Sequence, residues 1–110
     1  MNYITMFLKN RQRKKLVKEI DDLKVQSASF LESSHSAKIC ADSVLSYVNL
    51  RRQQAENGDY ASNVWLSCYL SEYLKKYQKF SESVATDYQH YENIQNQINF
   101  LNQQISKLDA

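Results

Sequence analysis

Stepping alternately four and three residues from Leu66 meets Leu70, Tyr73, Tyr77, Phe80, Val84, Asp87, Tyr91, Ile94, Ile98, Leu101, Ile105 and Leu108, and only Asp87 breaks the apolar series. A repeat of this period held over about six heptads belongs to one long helix burying a narrow stripe against another helix. An ordinary globular helix carries a wider apolar face and drifts out of this phase.

The first half of the chain must supply the second helix. With no proline and a single glycine, Gly58, the sequence has almost nothing to interrupt a helix except near its midpoint. The spacing predicts helix one over about 4–56, a turn over about 57–61 and helix two over about 62–108. Asn57-Gly58 supplies a left-handed C-terminal stop, and Asp59 or Ser62 the next N-cap. The expected fold is all-α: one domain, a long antiparallel two-helix coiled-coil hairpin. At 1.5 Å per residue its arms are about 75 Å long, a rod with a thin seam.

A turn centred on position 57 places Val48, Val44, Ala41, Ala37, Ser34, Phe30, Ser27, Leu23, Ile20 and Leu16 opposite the seam residues from Leu66 to Ile98. Bulky Tyr73, Tyr77 and Phe80 then face small Ala41, Ala37 and Ser34, the alternation that close packing requires. In this register Asp87 meets Ser27 in a polar layer that fixes the pairing.

The two ends differ chemically. Near the turn, Tyr47, Leu50, Tyr60, Trp65 and Tyr69 cluster in sequence space. Such side chains dominate protein interfaces, and they also commonly close hairpins. At the other end, Lys9, Arg11, Arg13, Lys14, Lys15 and Lys18 put six positive charges into ten residues with no acid before Glu19. The expected register leaves Leu101 and Ile105 facing Arg13 and Lys9, so this end is expected to need a partner, unless the long basic stems cover the apolar surface. From Asn93 to Ser106 the second helix carries no charge, and Asn93, Gln95, Asn96, Gln97, Asn99, Asn102, Gln103 and Gln104 are expected on its outer surface. Amides can line a close protein wall without the desolvation cost of charges, although the whole chain is rich in Asn, Gln, Ser and Tyr.

Several function classes are excluded as expectations. The apolar residues 1–8 precede the basic run, the reverse of a secretory signal peptide, and no apolar stretch approaches the roughly 20 residues of a membrane span. A soluble protein is expected. Cys40 and Cys68 have neither metal-ligand spacing nor the number for a disulfide framework, and His35 and His90 have no partner at ligand spacing. No nucleophile elbow, phosphate-binding glycine loop or paired-carboxylate cleft is present. The chain reads as a non-enzyme without cofactor or metal.

The hairpin, the basic N-terminal segment, the tight central turn and the Trp early in helix two resemble the central stalk of type III export machines, the flagellar FliJ and virulence-system SctO proteins. The stretch from Asp59 through Ser62-Asn63-Val64-Trp65 to Tyr69 and Tyr73 is similar to a Ser-Asn-x-Trp followed by aromatics in the flagellar stalks. This resemblance implies a protein-transport role: a stalk in a hexameric export ATPase, at the cytoplasmic face of a bacterial secretion apparatus. It implies ATPase contact through Lys9, Arg11, Arg13, Lys14, Lys15, Leu101 and Ile105, and contact with the cytoplasmic domain of the export gate through Tyr47, Leu50, Trp65 and Tyr69. Secretion chaperones are further candidate partners, nucleic acid is not one, and the membrane is reached only through the apparatus. In relatives the gate contacts follow a four-three-four spacing, here Cys40, Val44, Tyr47 and Arg51.

Other readings stay open. A small secretion chaperone would complete its seam with an amphipathic helix of its client. A self-associating coiled coil would form a four-helix bundle through Phe7, Val17, Leu31, Leu45, Phe100 and the tyrosines outside the seam. Binding of nucleic acid or anionic membrane through Lys9 to Lys18 would collapse with salt.

Overall fold

The computed structural model describes residues 2–110. Two helices account for nearly all of them: α1, Tyr3–Glu56, and α2, Tyr60–Asp109. They form an all-α antiparallel hairpin, the fold class expected from the heptad seam.

Local chemistry explains where each helix starts and stops. Asn2 caps α1, its Oδ1 accepting the Ile4 N–H at 3.2 Å and its carbonyl the Met6 N–H at 3.1 Å. At the C-terminal end Gly58 takes φ +91°, the left-handed conformation open to glycine at little cost. The Gly58 N–H donates to the Ala55 carbonyl at 3.0 Å and the Asp59 N–H to the Gln54 carbonyl at 3.0 Å. These two bonds are the Schellman pattern, which satisfies carbonyls that the end of the helix would otherwise strand. Asp59 then opens α2: its carbonyl accepts the Asn63 N–H at 3.1 Å, and its carboxylate accepts from the Ser62 hydroxyl at 2.6 Å.

Two compact units divide the hairpin, one built from the segments before Glu32 and after Asp87, the other from Glu32–Asp87. In the first, Leu16, Ile20, Ile94, Ile98 and Leu101 bury one another, with Leu23, Phe30, Ile105 and Leu108 packed against them. In the second, Ser34, Ala41, Val48 and Ser62 are buried, and Tyr73, Tyr77, Phe80 and Val84 are half-buried. Small residues on α1 let the backbones approach closely enough for the Ser34 hydroxyl to donate to the Val84 carbonyl at 3.0 Å.

Every seam position expected on α2 is buried or half-buried, but the register differs from the expected one. Ser34, expected opposite Phe80, bonds Val84, about one helical turn further along α2. Ser27, expected opposite Asp87, accepts from Gln95 Nε2 at 2.7 Å, about two turns further. Asp87 instead accepts from the Ser33 hydroxyl at 2.7 Å. Two causes act in the same direction. The connector is centred on Gly58 rather than on Asn57. Side chains also lean toward the N-terminus of their own helix, which is away from the turn on α1 and toward it on α2, so partners meet further along α2 than facing Cα positions suggest.

This register corrects the expectation of an unfinished seam. Leu101 is 8% exposed and shares a cluster with Leu16 and Ile20, and Ile105 packs on the same cluster. Arg13, expected opposite Leu101, pairs with Asp109 at 3.2 Å.

Candidate functional site

At the turn end, Ser62 is the central residue. It is fully buried, and its hydroxyl donates to Asp59 and accepts from Arg51 Nη1 at 3.3 Å, with Gln54 Oε1 3.0 Å away. A hydroxyl has one proton to give, and the short charge-assisted contact to Asp59 takes it. The Arg51 guanidinium is also held by Tyr47, whose hydroxyl oxygen accepts from Nε at 3.1 Å and Nη2 at 3.0 Å.

Aromatic rings surround that guanidinium. Its central carbon lies 5.4 Å from the Tyr47 ring centroid and 5.6 Å from that of Trp65. Trp65 meets Tyr47 edge-on at 5.1 Å and Tyr73 at 4.9 Å, while Tyr69 lies at 6.2 Å from Trp65. Such edge contacts and cation–π stacking stabilise beyond area burial. Tyr47 and Trp65 therefore close the hairpin, and of the four gate candidates only Leu50 and Tyr69 are exposed, beside Tyr60. In Ser62-Asn63-Val64-Trp65, Ser62 is the buried acceptor and Trp65 covers Arg51. The Asn63 amide donates to the Asp59 carbonyl at 3.2 Å. Arg51 entered the sequence reading only through the four-three-four gate spacing, and its part in closing the turn was missed. Its position four residues after Tyr47, facing the start of α2, is the available signal.

At the open end the basic residues separate into two groups. Lys9 is half-buried and lines a recess with Met6, Asn10, Arg13 and Leu108, while Arg13 makes the Asp109 pair. That ion pair is solvent-exposed on both sides and contributes little to stability. Arg11, Lys14, Lys15 and Lys18 are exposed, and no acidic side chain forms an ion pair with them among the described residues. Leu101 and Ile105, expected to meet a partner here, are taken up by the seam. On the amide-rich stretch Gln95 and Gln104, expected on the outer surface, are half-buried beside the seam residues Ile94 and Ile105, and Gln95 is engaged by Ser27, whereas Asn96, Gln97, Asn99, Asn102 and Gln103 remain exposed around Phe100.

Other candidates are quickly placed. His90 lies against Phe30, ring centroids 4.9 Å apart, so it packs on the hairpin. Cys40 and Cys68 are exposed thiols. No group of three or more His, Cys, Asp or Glu side chains could hold a metal ion among the described residues, and none of the described helices is long and apolar enough to cross a membrane. Neither a family model, nor a curated protein, nor a solved structure matches the chain.

Proposed function

We propose that this chain is a non-enzymatic connector, the stalk of a type III protein export apparatus linking a hexameric export ATPase to the cytoplasmic domain of the export gate. The observation that carries the reading is a hairpin with an internally satisfied seam and two chemically different ends. One end offers uncompensated Arg11, Lys14 and Lys15, the other offers Leu50 and Tyr69 on a closed aromatic turn. Such an element would couple its partners mechanically, and binding at either end would add to its stability by mass action. The Ser-Asn-x-Trp resemblance at the turn supports the same reading. A client-holding chaperone is less well supported, because Leu16, Ile20, Ile94, Ile98 and Leu101 already bury one another.

Co-purification with a hexameric export ATPase tests the proposal. Arg11→Glu, Lys14→Glu and Lys15→Glu together should abolish capture while leaving helicity unchanged, since none of the three forms an ion pair among the described residues. Undiminished capture by the charge-reversed protein would remove the basic end from the mechanism.

A further inference from the structure

The first four turns of α1 carry an outer face that the seam does not use. Lys9, Leu16, Ile20 and Leu23 point toward α2, as their burial shows. At 100° per residue the side away from α2 holds Tyr3, Ile4 and Phe7, followed by Arg11, Lys14 and Lys18, with Leu8 and Lys15 on its flank. The apolar members are unusually exposed for their type: Tyr3 91%, Ile4 67%, Phe7 65% and Leu8 54%. Phe7, Arg11 and Lys14 together line one shallow groove, and Leu8, Arg11 and Lys15 another, so apolar and cationic groups form a continuous surface.

We propose that this face docks directly on an anionic lipid surface, with Tyr3, Ile4, Phe7 and Leu8 entering the headgroup boundary and the four basic side chains meeting lipid phosphates. With α1 lying in the plane of the surface, the apolar side chains on this face would enter within the roughly 5–10 Å that interfacial helices bury. The basic residues follow on the same face, one to three turns on, where long stems can reach headgroups around an inserted apolar patch. Charge decides against the other occupants. A second copy would oppose cation to cation, and a nucleic acid would leave the four apolar side chains in water. The inference does not depend on the export reading. Because Arg11, Lys14 and Lys15 are shared, lipid and ATPase would compete for the same molecule.

Sedimentation of the full chain with vesicles tests it, comparing phosphatidylcholine alone with phosphatidylcholine containing roughly one-third phosphatidylglycerol. Binding is expected only to the anionic vesicles and should weaken as salt is raised. Arg11→Gln, Lys14→Gln and Lys15→Gln combined should weaken it roughly a hundredfold, at about fivefold per charge. Phe7→Ser with Leu8→Ser should also abolish it. These side chains are exposed, so circular dichroism and the fluorescence of Trp65, which lies in the other compact unit, should be unchanged in both variants. Equal binding to neutral vesicles, or no binding to anionic ones at low salt, overturns the proposal. So does wild-type binding by the Phe7/Leu8 variant. An acidic groove on a protein would then be the better occupant.

Discussion

Among the described residues Arg51 has no acidic counterion, yet all three of its guanidinium nitrogens are engaged, by the Tyr47 hydroxyl and by buried Ser62. Replacing it with Met keeps much of the stem and removes the fork, leaving Ser62 and Tyr47 short of donors and the Trp65 ring without its cation. Hydrogen bonds to charged groups and exposed cation–π contacts together suggest a loss of about 1–3 kcal/mol. Urea denaturation of Arg51→Met should show it, and an unchanged midpoint would mean that the aromatics alone close the hairpin. Gly58 gives a second, independent residue-level test. A Cβ there would meet nothing within 4 Å, so the penalty of Gly58→Ala comes from the left-handed backbone alone, about 1 kcal/mol. Gly58→Asn should cost less, since asparagine tolerates that conformation.

At the level of the helices, α1 supplies small and polar residues where α2 supplies aromatics near the turn, and both supply branched aliphatics in the other unit. Ile98→Ala should lower the unfolding free energy by about 2 kcal/mol, the lower end for a buried aliphatic, because water reaches a two-helix seam easily. Phe100→Ala, two residues away on the exposed face, should change it by less than about 0.5 kcal/mol. If thermal unfolding ranks the two in the opposite order, the amide-rich face and not the seam is the packed surface. The serine contacts have a different role: Ser27 with Gln95 and Ser33 with Asp87 are polar pairs that a heptad slip would separate. Such layers select register at some cost in stability.

For the molecule as a whole, a seam filled from within removes the need for a second chain. In dilute buffer the protein should sediment as a monomer with an unfolding temperature independent of concentration. A midpoint that rises with concentration would favour the four-helix bundle through Phe7, Val17, Leu31, Leu45 and Phe100.

The sequence by itself determined that the chain is helical, that it turns at Asn57-Gly58, and that the α2 heptad positions from Leu66 to Leu108 turn inward. Each of these is local: heptad phase, a glycine able to take positive φ, and the absence of proline are read within a few residues. Only the tertiary structure decided which residues meet. A heptad seam is nearly periodic, so sliding one arm by a turn or two still sets apolar against apolar, and the differences between registers lie in side-chain lean and a few polar contacts. That is why Leu101 and Ile105, expected to lie uncovered, found Leu16 and Ile20. It is also why Tyr47 and Trp65, legible as aromatics near a turn, proved to enclose Arg51, and why the uncovered surface was Tyr3 to Lys18 on the outer side of α1.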